Sequence, residues 1–590
     1  MTDDKTRGAG ALPIILIAAV IQGWSLYGLH VAIKGSHWPA TAPGWLLGCY
    51  ALAVFVPLTA QLLVEHIRQR TTWILIAALG VLFGYFGWHH GSAVVDQTTE
   101  YFVASGQWFP LGFVLSVLWL LMLPFMQARL TDGNWRPRYE ALFANAWRNK
   151  LTLAEAALFT GLFWLLLILW SQLFEMLGIG FFEDLFQEPI FIYPVTSLTF
   201  GIALHLIGSV ARLTSVVLEQ LLNVLKWLAV IAGLILALFT VALIFKLPGM
   251  MASGERAIGA SWLLWLVAVT VLLVNAAYRD GSVERPYPRP IALALRCIVP
   301  LTIVIALTAV YAMYLRVETF GITVTRVWAM IVAIAACIYA IGYGFAARRS
   351  DRWMASIANI NVATAVFLIV TLSLALTPVL SPWRIAANSQ FQLAQQTPPP
   401  IRMNRRGQDE SPLQYLRFGA GRYGIARLEE LMVLQDHPLA EQIRMDAKAM
   451  RAQTNRWMSP APSNIQSQLA NLRLPAGREI DPQLRAAIAE DLRNSGITVL
   501  VGTDAPAIGG AFIDLNRDQQ EDFVLVFGVQ IFAYTKSDAA SWRRVGQLVS
   551  NVPMRDALTL QKMLQGEMQA RDPQWQDLQV GDTVLRMNAF

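Results

Sequence analysis

Cysteine, charge and catalytic signatures are all scarce in this chain. Three cysteines occur in 590 residues. Cys49, Cys297 and Cys337 each fall inside an apolar stretch, and the C-terminal third has none. That excludes an intramolecular disulfide in the C-terminal region. Three isolated cysteines on separate helices also lack the spacing of a thiolate metal site, so interior packing is the reading for each. No phosphate-loop pattern, no H-E-x-x-H pair and no G-x-S-x-G elbow is present, which removes the commonest nucleotide, zinc and serine chemistries. Charge is thin as well. Only 15% of residues are charged and 55% are hydrophobic, against about 25% and 45–50% for soluble domains.

The net charge of +6 does not point to nucleic acid. From Ile385 onward the chain carries 22 Lys+Arg and 22 Asp+Glu, so the surplus lies in the apolar part. There it sits in short loops, and no basic patch interleaved with aromatics accompanies it.

What is abundant is long apolar runs. A membrane span needs roughly 20 mostly apolar residues. Runs near 11–31, 43–64, 72–88, 109–128, 155–177, 191–211, 222–245, 260–278, 291–315, 325–346 and 359–380 qualify. The expected fold is mainly α: a polytopic transmembrane helical bundle of about eleven spans, followed by a soluble α+β C-terminal domain. The expected domains are 1–384 for the bundle, 385–412 for a Pro- and Gln-rich linker, and 413–590 for the soluble domain.

The loops set an orientation. One set is basic, with Arg68 and Arg70, then Arg129, Arg136, Arg138, Arg148 and Lys150, then Arg279, Arg285 and Arg289, then Arg348, Arg349 and Arg352. The alternate set is poor in Lys and Arg: residues 89–108 and 178–190 have none. Basic loops stay cytoplasmic. An inside N-terminus and an odd span count place the tail outside, in the periplasm of a bacterial inner-membrane protein. Membrane lipids are the expected partners, and a protein partner is left open.

In the tail, Asp481 reads as an N-cap with Pro482 at the first helical position, and the helix 483–494 ends at Gly496. Strands are expected at 497–501, 511–514, 523–527, 530–534 and 542–549. A helix is expected at 555–566, and a strand at 583–587 that closes the sheet.

Several stretches together resemble one known family. They are GIGFFEDLF (178–186), GITVTRVWAMIVAIAACIYAIGYGFA (321–346), SPWRIAANSQ (381–390) and LRFGAGRYGIARLEEL (416–431). The chain is similar to the bacterial membrane proteins grouped as domain-of-unknown-function family 4153, from about the third span to Leu431. The resemblance implies an inner-membrane location. It implies no activity and carries over no catalytic residue.

Candidate chemistry is sparse. Asp514, Asn516, Asp518 and Asp522 place side-chain oxygens at positions 1, 3, 5 and 9 of a turn between two strands. The order resembles the calcium loops of integrin-type β-propeller repeats, with Gln519 where those loops have glycine. The alternative is a solvated acidic hairpin turn. Glu155, Glu175 and His205 are ionisable residues in or near spans, where charge is costly. The glutamates can reach water from helix ends. His205 is either a proton-relay group or a packing residue. His89 and His90 could bind metal or sense pH, but interfacial anchoring is the favoured reading. Gly419, Gly421 and Gly424 formally fit a dinucleotide fingerprint, yet no strand precedes them, so a turn is expected instead.

Three functions remain open: a membrane-anchored periplasmic sensing or scaffold module; a transporter or lipid-handling protein using His205 and Glu175; and a membrane enzyme acting on an envelope intermediate through Glu183, Asp184 and Glu188.

Overall fold

The computed structural model describes residues 3–93, 108–209, 211–253, 259–283, 286–348, 354, 356–396, 402–403, 409–453, 469, 472, 474–475, 478–494, 508–516, 518–527, 530–536, 541–548, 578–580 and 583–585. The chain divides into two compact units, Met1–Glu430 and Leu431–Phe590. The first unit therefore extends past the expected bundle and linker.

Among the described residues, eleven helical stretches are long and apolar enough to cross a membrane. The first four lie in α1 (Asp3–Lys34), α2 (Pro43–Leu62), α3 (Arg70–Ser92) and α4 (Trp108–Asp132). Next come α5 (Tyr139–Glu175), the short α6 (Phe181–Gln187), α7 (Pro189–Ser209), α8 (Ala211–Ser253) and α9 (Ala260–Tyr278). The ninth span is composite. α10 (Arg289–Ile298) passes through a 3₁₀ turn at Val299–Leu301 into α11 (Thr302–Phe320). Pro300 has no N–H to give to the helical ladder, which accounts for the break that the apolar run conceals. α12 (Val324–Arg348) and α13 (Ile357–Ala375) complete the set. α13 stops three residues before Pro378, as a proline stop requires.

Glycine governs the tightest helix pair. A Cβ on Gly91 would lie 2.3 Å from the Pro43 carbonyl oxygen, and one on Gly87 would lie 2.5 Å from the Leu47 oxygen. Only hydrogen fits there, so α2 and α3 meet backbone to backbone. Such close approach of small residues is how helices associate where apolar burial gives no preference over lipid. Aromatic packing of Phe55, Phe83 and Trp119 ties in α4, and the Trp119 indole N–H donates to Thr59 Oγ1 at 2.8 Å.

Polar groups inside the bundle find one another. The amides of Gln127 and Asn149 exchange two hydrogen bonds, at 3.0 and 2.8 Å. Large apolar side chains face outward instead: Val81 is 76% exposed and Phe245 is 82% exposed. In water such a surface would be an aggregation liability; in lipid it is at no disadvantage. The cysteines correct one expectation. Cys49 and Cys337 are half-buried, but Cys297 is exposed on the bundle surface.

After the last span, α14 (Pro382–Ala394) runs across the expected boundary into the stretch expected as linker. Two-residue strands β1 (Arg402–Met403) and β2 (Asp409–Glu410) pair antiparallel. α15 (Pro412–Phe418) and α16 (Gly421–Leu431) follow. Ser411 caps α15 by accepting the Gln414 N–H at 3.2 Å.

The second unit holds α17 (Ala440–Ala452), α18 (Pro482–Asn494) and a four-stranded antiparallel sheet. Its strands run in order β3 (Ile508–Ile513), β4 (Asp522–Phe527), β5 (Gln530–Lys536) and β6 (Trp542–Leu548). Side chains alternate between the two faces of the sheet. Phe523, Leu525, Phe532 and Tyr534 pack with Leu484 and Ile488 of α18, while Val524, Val526 and Ile531 pack on the other face. Asp481 caps α18 as expected, accepting the Gln483 N–H at 2.9 Å. Tyr534 donates to Asp491 at 2.8 Å, and Arg544 pairs with the same carboxylate.

One strand expectation is corrected. β8 (Thr583–Leu585) pairs with β7 (Leu578–Val580) as a separate hairpin and does not close the sheet among the described residues. Its partner strand was not anticipated. The strand expected at 497–501 and the helix at 555–566 lie outside the described residues.

Candidate functional site

The intramembrane ionisable residues do not assemble. Glu155 and Glu175 sit on one helix, α5, twenty residues apart, or about 30 Å along the axis. Glu155 accepts a long 3.4 Å bond from Thr214, and the exposed Glu175 accepts one from Gln172 at 3.1 Å. His205 is half-buried on α7 and makes no hydrogen bond among the described residues. Glu183 and Asp184 lie on α6, which carries Phe182 and Phe186 into a ring cluster with Trp170, Phe174 and Phe191. That pattern suits a helix lying at a membrane interface.

The Asp514–Asp522 turn is tight and satisfied by its own backbone. Asp514 accepts the Gln519 N–H, Asp518 accepts the Gln520 N–H, and Asp522 accepts the Leu515 N–H, at 3.1, 2.7 and 3.0 Å. Asn516 and Asp518 bond each other at 2.8 Å. Gln519 adopts φ +66°, the left-handed conformation that glycine supplies in comparable turns. No three His, Cys, Asp or Glu side chains converge to hold a metal among the described residues.

A different assembly emerges where separated segments converge. Gly321 begins the loop between α11 and α12 at φ +65°. Gln390 of α14 donates to the Phe320 and Ile322 carbonyls, each at 3.1 Å, and Ser389 accepts the Ile322 N–H at 2.8 Å. Tyr415 of α15 accepts the Val324 N–H at 2.9 Å. The turn between α15 and α16 reaches the end of α3. There the Arg422 N–H donates to the Ala93 carbonyl at 2.8 Å. Gly421, at φ +54°, lies so close that a Cβ would stand 2.2 Å from that oxygen. So α14, α15 and the start of α16 form a collar clamped to the ends of α3 and α12.

The two histidines lie beneath this collar. His89 is 2% exposed and His90 8% exposed. His89 Nε2 lies 3.4 Å from the Tyr423 hydroxyl, and Arg422 donates to that hydroxyl at 3.1 Å. His90 meets the Trp383 ring edge-on at 6.0 Å. The anchoring expected for this pair is therefore corrected, since an interfacial anchor would be exposed. No local signal distinguishes the two cases, because Tyr423 lies 334 residues from His89.

A second buried assembly also escaped the sequence reading. Asn361 of α13 accepts from Tyr343 at 2.7 Å, and donates to Tyr139 at 2.8 Å and Asn275 at 2.6 Å. Four helices thus share one amide–phenol network. The available signal was Asn275 and Asn361 inside apolar runs, since polar side chains there bond across helices.

The bundle, its apolar outer surface and the loop-borne collar define a polytopic α-helical membrane protein. Residues 11–411 match the family described as a domain of unknown function, DUF4153, and the chain belongs to that family. The match begins two spans earlier than the expected extent, from about the third span to Leu431, and ends before Leu416. No curated protein and no solved structure matches the chain.

Proposed function

We propose that this protein is a membrane-anchored periplasmic sensing or scaffold module of the bacterial inner membrane. The collar carries the reading. Two stretches inside the family match, 321–346 and 381–390, meet in it with 416–431, which follows the match. It fixes the point at which the chain leaves the bundle, which suits an anchor that presents a following domain. Several polar side chains of the bundle pair across helices, which favours a platform over a permeation path. The dispersal of Glu155, Glu175 and His205 weighs against a shared transport site, and the acidic residues of α6 are accounted for by an interfacial helix.

The test is affinity capture from cross-linked membranes, comparing the full chain with a chain ending at Glu430. A protein enriched only with the full chain supports the module. Identical captures overturn it.

Calcium at Asp514, Asn516, Asp518 and Asp522 is a separate proposal. It would require the carboxylates to exchange their backbone donors for the ion. A Ca²⁺-dependent rise in unfolding temperature of the full chain, absent in Asp518→Asn, supports it. No shift at millimolar Ca²⁺ overturns it.

A further inference from the structure

A small half-open pocket of about 170 Å³ lies at the end of α9, lined by Lys226, Ala277, Arg279, Val283 and Pro286. We infer that it binds a phosphate-bearing anion, supplied either by the headgroup of an acidic phospholipid or by free phosphate.

Both charged residues of the lining are cationic. Arg279 follows the last turn of α9 with φ +56°, a conformation uncommon for a residue with a Cβ. Its guanidinium makes one hydrogen bond among the described residues, to Asn223 Oδ1 at 2.8 Å. An arginine has five N–H donors in a planar fork, so most remain for a ligand. Lys226 is held at its backbone, where its carbonyl accepts the Tyr287 hydroxyl at 2.6 Å. Its ammonium lies 5.4 Å from the Trp227 ring and 5.7 Å from the Tyr287 ring, and makes no hydrogen bond or ion pair among the described residues. Two cations share one concavity, therefore, with donors to spare.

Among the described residues, the counter-charge of Asp280 is near, and it is occupied. Burial alone would raise the Asp280 carboxyl, yet bonds from the Ser282 hydroxyl and N–H, with the Arg279 charge, hold it below its ordinary range. Asp280 thus partly offsets Arg279 and does not line the pocket.

Size and position narrow the ligand. Drug-sized ligands need roughly 300 Å³ or more, whereas one tetrahedral oxyanion with a few waters of about 30 Å³ each fits here. The pocket lies where α9 ends and just before α10 begins, beside the exposed Trp227. Exposed tryptophan marks the headgroup level, and basic pockets between spans at that level recognise anionic headgroups.

The experiment uses the purified full chain in phosphatidylcholine nanodiscs, with and without phosphatidylglycerol, and separately with inorganic phosphate. Lipid retention is read by native mass spectrometry and stability by thermal shift. The expected result is retained phosphatidylglycerol, or stabilisation by inorganic phosphate, reduced about tenfold in Lys226→Gln/Arg279→Gln. Arg68→Gln, an exposed loop cation, should behave as the parent does. A lipid response without a phosphate response assigns the headgroup as source, and the converse assigns the free anion. Should the double variant misfold, Lys226→Gln alone tests the claim, because its ammonium makes no hydrogen bond or ion pair among the described residues. Equal retention and shift in parent and variant overturn the inference.

Discussion

At the scale of single residues, Gly421 is a demanding position of the collar. Its positive φ and its approach to Ala93 leave no room for a side chain. Gly421→Ala should destabilise the first unit by more than about 1 kcal/mol, read as a lower unfolding temperature in detergent. Gly28 of α1 has open space at its Cβ position. Gly28→Ala should be neutral or stabilising by roughly 0.5–1 kcal/mol. Similar effects at both sites would contradict the clamp. Gln519 reverses the case: Gln519→Gly should stabilise the sheet unit by relieving the left-handed strain of its turn.

Asp446 offers a pH test. Burial raises its carboxyl above the ordinary value, opposed by the Gln442 amide. The folded state then holds this proton more tightly than the unfolded chain does. Stability from this residue is therefore present below the unfolded value of about 3.9 and is lost as pH rises through the folded value. Asp446→Asn should slow hydrogen exchange of α17 at pH 7, with no advantage below about pH 4. An advantage independent of pH would contradict this assignment. The raised carboxyl was not legible in the sequence, because burial of one carboxylate depends on what packs over it.

At the scale of elements, the eleven spans were legible because a length rule set by the bilayer acts on contiguous residues. All eleven helical stretches overlap the expected runs. The break at Pro300 was missed because apolar character continues through it. The four-residue amide–phenol network was missed because its members come from four helices. Asn361→Leu should remove three side-chain hydrogen bonds at once, to Tyr343, Tyr139 and Asn275, while Tyr343 keeps its bond to Asn275, at about 1–3 kcal/mol for each group left unsatisfied. Thermal unfolding of the full chain checks this, and a loss below 1 kcal/mol would show that water replaces the amide. The hairpin β7–β8 escaped because strands of three residues carry almost no periodic signal.

At the scale of the whole molecule, the apolar runs end by Ala375, yet the first compact unit continues to Glu430. The collar is divided by the sequence reading between the bundle, a polar linker at 385–412 and the soluble domain. Its contacts are to backbone groups at the ends of α3, α11 and α12, and backbone groups carry no sequence signature. The candidate site was less legible for the same reason. Ionisable residues draw attention singly, whereas His89, Trp383 and Tyr423 gain their meaning by meeting.

The account rests most heavily on a bundle spanning lipid with its basic loops inside and its tail outside. Impermeant thiol labelling of intact spheroplasts tests this directly, with Cys49, Cys297 and Cys337 replaced by alanine and single cysteines placed at Arg68 and Gln435. The expected result is labelling at 435 without permeabilisation and labelling at 68 only after it. Labelling at 68 in intact cells, with 435 protected, would contradict the account.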